Sequence, residues 1–112
     1  MLSFQKLDVY RCATEFLAVT VCLSEGIPRG NAPILDQLRR AATSIPLNIA
    51  EASGRTGEAD AARAYAIARG SAMECAAVLD ALALLKLVEA DLHRRGIDLL
   101  ERIVQMLTKL CR

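Results

Sequence analysis

LRRAATSIPLNIAEASGR, residues 38–55, is the stretch whose reading decides the fold. With Leu35 just before it, apolar side chains recur at Leu38, Ala42, Ile45, Ile49 and Ala52. These steps of three and four lay one stripe along a helix that faces other helices. At about 100° per residue, Arg40, Ser44, Asn48, Glu51 and Arg55 fall within about 80° of one another on the other side. The polar groups thus form one strip, where a recognition surface would sit. Pro46 stands inside the pattern, where it removes one main-chain hydrogen bond and presses its ring on the carbonyl of Ala42, at about 3 kcal/mol. Two short helices are the competing reading. The apolar stripe keeps its phase across Pro46, which favours one helix kinked there.

Outward from this stretch the same periodicity repeats. A first helix is expected over about Gln5–Glu25, with Ser3 as its N-cap, Leu7, Tyr10, Thr14, Leu17 and Val21 on one inner face, and Phe4 and Phe16 packing as well. Gly26, Pro28, Gly30, Asn31 and Pro33 then crowd into eight residues, a density of breakers that ends any helix. The second helix runs from Pro33 or Ile34 to Ser53. Gly54 is expected to take the left-handed conformation that closes it, and Thr56 to cap the third. That third helix covers Glu58 to about Leu87 through Ala61, Tyr65, Ala68, Ala72, Cys75, Leu79 and Leu82, with Gly70 marking a close helix approach. The next turn lacks glycine and proline, its signals being Glu89 and Asp91. A fourth helix continues to about Leu110 on Leu92, Gly96, Leu99, Ile103, Leu107 and Leu110. Four helices joined by mostly short turns predict an all-α, antiparallel up-down-up-down four-helix bundle, with residues 1–112 as one domain.

Composition bounds the function. Hydrophobic residues make up 54% of the chain and aromatics 4%, so the core is built from aliphatic side chains and alanine. That apolar share is high for a small domain and argues for a homo-oligomer that covers part of it, although alanine also inflates the figure. Leu47, on the side of the second helix away from the stripe, points the same way. The net charge of +1 creates no global field for nucleic acid or anionic membrane, so polyanion binding requires a local patch. No apolar run is long enough to span a bilayer, and the amino terminus shows Asp8 early with no basic region followed by an apolar one; the expectation is a mature cytoplasmic protein. Cys12, Cys22, Cys75 and Cys111 form no C-x-x-C pair, and His93 is distant from them in sequence. They are expected as free thiols rather than metal ligands or disulfides.

No nucleophile–base pair, paired carboxylates or glycine-rich phosphate loop stands at a meaningful spacing, so no enzyme, cofactor or catalytic residue is expected. Arg39, Arg40 and Arg55 are the candidate nucleic-acid-binding residues, because guanidinium forks match phosphate. Adjacent charges on a helix are also what a solvated face looks like. Glu51 and Arg55, four apart in the favourable order, are expected to pair. Arg69 is expected to pair with an acid on a neighbouring helix, such as Glu51.

These residues resemble a known family. Phe4, Leu7, Val9 and Tyr10 match its opening pattern, although tryptophan is commoner at the aromatic position. Gln37, Leu38, Arg39, Arg40, Ala41, Ala42, Ser44, Ile45, Pro46, Asn48, Ile49, Ala50 and Glu51, followed by Gly54 and Arg55, match its central signature. Ala68, Arg69, Gly70, Ser71 and Glu74 match a third block, and Met106, Leu107 and Leu110 a weaker last one. The chain is similar over nearly its whole length to the four-helix-bundle proteins encoded within intervening sequences of bacterial 23S rRNA genes. It departs from them at Ala52-Ser53, where glycine more often follows the glutamate directly. The resemblance implies a homo-oligomer, with pentamers among relatives. It also implies kinship with an accessory protein of diversity-generating retroelements that binds nucleic acid and a reverse transcriptase. The expected function is therefore non-enzymatic binding of RNA or DNA backbone through arginines repeated around an oligomer. The alternative is a scaffold that docks a protein partner.

Overall fold

The central stretch folds as one helix, and the rest of the chain packs around it. The computed structural model describes residues 1–112. After a single 3-10 turn at Ser3–Lys6 come four α-helices, α1 (Asp8–Glu25), α2 (Ala32–Gly54), α3 (Glu58–Leu84) and α4 (Ala90–Leu110), and no strands. Helices consecutive in sequence pack on one another, α1 and α4 close the ring, and the backbones of the diagonal pairs stay apart. The molecule is 44 Å long and 24 by 22 Å across, dimensions that match helices of this length standing side by side. No helix is long and apolar enough to cross a membrane.

Pro46 lies buried inside α2, which continues unbroken through it. Leu38, Ala42, Ile45, Ile49 and Ala52 are all buried, together with Ala41. Polar side chains tie α2 and α4 to α3. Gln37 donates to Glu74 at 3.2 Å, and Ser71 donates to Ser44 at 2.8 Å. Between α3 and α4, Asp80 meets His93 at 3.0 Å, and Arg69 donates to Thr108 at 2.8 Å.

The inner face of α1 differs from the expected one. Val9, Cys12, Ala13, Phe16, Val19 and Leu23 are buried, whereas Thr14 and Val21 are exposed and Leu7, Tyr10 and Leu17 line the flanks. At about 100° per residue the buried face lies roughly 145° round the helix from the expected one. Phe16, the largest apolar side chain available to it, takes the centre and is fully buried. The start of α1 differs too. Leu7 is extended and separates the 3-10 turn from α1. Ser3 caps nothing and instead sits 3.1 Å from Ser53 across the end of α2.

Turn chemistry also departs from expectation. α2 runs through Gly54 and ends on an extended Arg55, and the N-cap of α3 is Gly57 rather than Thr56. The left-handed residues are Gly30 at φ 99° and Lys86 at φ 59°. Lys86 closes α3: its N–H donates to Ala83 at 3.0 Å and that of Leu87 to Leu82 at 2.9 Å, the paired bonds that satisfy the last carbonyls of a helix. A lysine performs this at about 1–2 kcal/mol relative to glycine. α3 consequently stops at Leu84, three residues before the expected end.

Gly70 is exposed with nothing within 4 Å of where a Cβ would stand, so it marks no close approach. Gly96 does: a Cβ there would lie 2.7 Å from Leu79 Cδ1 and 3.5 Å from Phe16 Cε1. Leu79 is fully buried, so its Cδ1 would have to shift within a filled core. Gly70→Ala is therefore expected to raise the unfolding free energy by about 0.5–1 kcal/mol, whereas Gly96→Val lowers it by about 2 kcal/mol through overpacking. Denaturant titrations of both variants check the opposite signs. Cys75 is a second probe of the core. Burial, with the Glu74 carboxylate beside it, pushes its thiol from 9.0 up to about 12. Below pH 9 folded and unfolded chains both keep the proton; above it the unfolded chain ionises first, so stability falls from pH 9 towards 12. Unfolding measured across that range is expected to be steeper in pH for the wild type than for Cys75→Ala.

Candidate nucleic-acid interface

Arg39 and Arg40 are consecutive on α2, so the helix sends them about 100° apart. Arg39 stands over the α1–α2 groove beside Thr20, Val21, Ser24 and Glu25, and pairs with Asp36 at 3.7 Å. Arg40 stands over the α2–α3 groove, a depression of about 410 Å³ that Gln37, Ser44, Ser71 and Glu74 also line. No carboxylate lies within ion-pair distance of Arg40, and Glu74 is occupied by Gln37. Arg55 sits about 22 Å further along the helix axis and pairs with Glu51 as expected. Glu51 and Arg55 share a shallow groove with Asn48, Asp60, Arg63 and Ile67. In one chain the three candidates therefore occupy three places rather than one patch.

The polar strip of α2 divides into two kinds of residue. Arg40, Glu51 and Arg55 are exposed, whereas Ser44 and Asn48 are half-buried. Asn48 donates to the Ser44 carbonyl at 2.8 Å, and the Ser44 hydroxyl accepts from Asn48 and from Ser71 of α3. The middle of the strip is thus an interhelix polar seam, with charges left outside it. Apolar groups flank the seam: Leu47 is 68% and Ile67 51% exposed.

Arg69 does not pair with Glu51, whose carboxylate is held by Arg55. Its Nε instead donates to Thr108 of α4. That partner has no sequence signature, because a threonine one turn from a helix end is ordinary at any surface. No group of three His, Cys, Asp or Glu side chains gathers at metal-ligating distance. Cys12 and Cys75 are buried, Cys22 is exposed and Cys111 half-buried, all as free thiols.

Comparison with known proteins adds a family and a fold. No curated protein matches the chain. A solved structure described as a protein with unknown function from the S23 ribosomal protein family of Bacteroides thetaiotaomicron superposes with a TM-score of 0.85. The match covers 93% of this chain and 98% of that one at 23% identity, so it speaks for the fold alone. The family profile described as 23S rRNA-intervening sequence protein matches residues 5–109. The chain belongs to the 23S rRNA-intervening sequence protein family.

Proposed function

We propose that this chain is the non-enzymatic subunit of a cytoplasmic homo-oligomer, a pentamer by its resemblance to relatives, that binds nucleic-acid backbone through repeated arginines. Arg40 carries the reading: it is exposed, lacks a carboxylate partner and stands beside the hydroxyls of Ser44 and Ser71. Arg39 and Arg55 contribute as secondary contacts. Their acids are exposed neighbours on the same helix, and such pairs hold an arginine by only about 0–1 kcal/mol, which leaves it available to phosphate. The family's tie to 23S rRNA intervening sequences makes RNA the first polyanion to test. Repetition around a ring supplies what one chain lacks, because scattered contacts on one subunit become many on the assembly. Without an aromatic stacking platform the binding follows backbone shape, with little sequence preference.

Exposed Leu47 and Ile67 support the oligomer, since a neighbouring subunit would cover them. The same two residues favour the second reading, a scaffold whose partner is another protein.

The bundle is taken as antiparallel throughout and α2 as bent at Pro46. The pairings 37 with 74 and 44 with 71, and 80 with 93 and 69 with 108, run in opposite directions along the chain and support the first point. Thr43 bonds back to the carbonyls of Arg39 and Arg40, and Asn48 to that of Ser44, on either side of the proline. Back-bonding of this kind bends helices. Residual dipolar couplings from the two halves of α2 are expected to define two axes; a single axis rejects the bend.

Light scattering coupled to gel filtration is expected to give a mass several times 12.1 kDa, and a 12.1 kDa species at micromolar concentration rejects the assembly. Wild-type affinity for RNA is expected to fall linearly in log Kd against log salt. The Arg39→Ala, Arg40→Ala, Arg55→Ala variant, first shown to assemble, is expected to bind more weakly with a shallower slope. Equal binding by that variant, or no binding by the wild type at low salt, leaves the scaffold reading.

A further inference from the structure

Arg69 is the one arginine of this chain that is half-buried rather than exposed. Water satisfies an exposed unpaired guanidinium; withdrawing one from water without a counter-charge is costly, and such groups are ordinarily paired. Arg69 has no acid within ion-pair distance, the three pairs in the molecule being Arg39–Asp36, Arg55–Glu51 and His93–Asp80. What it has is a fixed orientation. Its Nε–H donates to Thr108 Oγ1 at 2.8 Å, and that hydroxyl donates its own proton to the Val104 carbonyl at 2.7 Å. Both lone-pair direction and proton of the threonine are thereby committed. A guanidinium carries five N–H bonds in a rigid plane, and here the four on the terminal nitrogens meet no acceptor in the chain. Those nitrogens are not sealed in, because no buried side-chain nitrogen or oxygen lacks a partner.

Thr108 stands in the last turn of α4, so the negative pole of that helix helps hold the cation. A clamp between α3 and α4 would need only that pole and the Nε bond. It would leave the two-pronged end with nothing to do. A planar pair of donors held from behind at Nε, with its terminal nitrogens in reach of solvent, is the geometry that can donate to two oxygens of one phosphate.

We infer that Arg69 is a further phosphate-binding residue, with Thr108 as its positioning residue, taking a phosphodiester of an RNA backbone at the α3–α4 groove. The inference rests on the nucleic-acid reading above and adds a contact on a different face from Arg39, Arg40 and Arg55. The assembled full-length protein is titrated with a fluorescently labelled RNA hairpin across a salt series, beside Arg69→Gln, Arg69→Lys and Thr108→Val. Circular dichroism melts and light scattering are run on each. Arg69→Gln is expected to weaken binding about tenfold and to make the salt slope shallower by about 0.7–0.9 per phosphate lost. Thr108→Val, which leaves the charge untouched, is expected to weaken binding less and to keep the slope. Arg69→Lys keeps the charge without the fork and is expected to fall between wild type and Arg69→Gln. It keeps the test decisive if Arg69→Gln does not fold. Wild-type affinity and slope in both Arg69 variants, with lowered melting temperatures, make Arg69 a clamp and overturn this inference alone. No binding by the wild type at low salt overturns it together with the reading beneath it.

Discussion

Three helices meet where one of them has no side chain. At Gly96 of α4 a methyl group would collide with Leu79 of α3 at 2.7 Å and would sit in ordinary contact with Phe16 and Val19 of α1. Phe16 and Leu79 are both fully buried, so the place cannot open by moving either one to the surface. The backbones of α1 and α3 do not approach one another; their buried side chains belong to one core cluster, and both reach the place that glycine leaves open. The rotation of α1 follows from this, since Phe16 must point at the gap and every other residue of the helix is carried round with it. The packing of α4 against α3 at this level thus depends on one absent side chain, and α2 closes the ring beside them.

How far the sequence discloses this depends on whether a residue's partner is local. The stripe of α2 reads correctly because Arg39, Arg40, Ser44, Asn48, Glu51 and Arg55 interrupt its apolar residues and the only large apolar side chain off the stripe between them is Leu47. On α1 apolar residues occur nearly all round, and periodicity alone cannot distinguish the face of Leu17 from that of Phe16. Gly96 lies on the apolar stripe of its helix and Gly70 does not, which is the periodicity signal that separates them; the identity of the side chain pressing on Gly96 is set far away in the chain. Lys86 shows a different obstacle: turn chemistry identifies the residues that prefer a left-handed conformation, not one that is made to adopt it. Arg39, Arg40 and Arg55 are legible as exposed cations, and the pairing of Arg55 with Glu51 follows from spacing. Their dispersal over separate grooves, and the attachment of Arg69 to Thr108, become visible only when helices are set side by side.

The polar residues of the central stretch have two duties that the fold keeps apart. Ser44 and Asn48, with Ser71, settle hydrogen bonds between and within helices, where neutral groups can be buried at little cost if each is satisfied. The arginines stay outside that seam, where their charge remains solvated until something displaces the water. A bundle arranged this way can alter its charged surface without touching the bonds that join α2 to α3.

The buried alanines give the molecule two kinds of fragility. On the inner face of α3 Ala64, Ala68 and Ala72 precede Cys75, Val78, Leu79 and Leu82, and α2 contributes Ala41, Ala42 and Ala52. Where alanines face a neighbouring helix there is almost nothing to trim, but any added carbon wedges two backbones apart. Where Phe16, Leu79, Leu100, Ile103 and Leu107 fill the space, the opposite holds, and shortening a side chain leaves a void. Evolution along this chain is therefore constrained by size in two senses: an upper limit governs the alanine-lined helix contact, and a lower limit governs the large side chains of the remaining core.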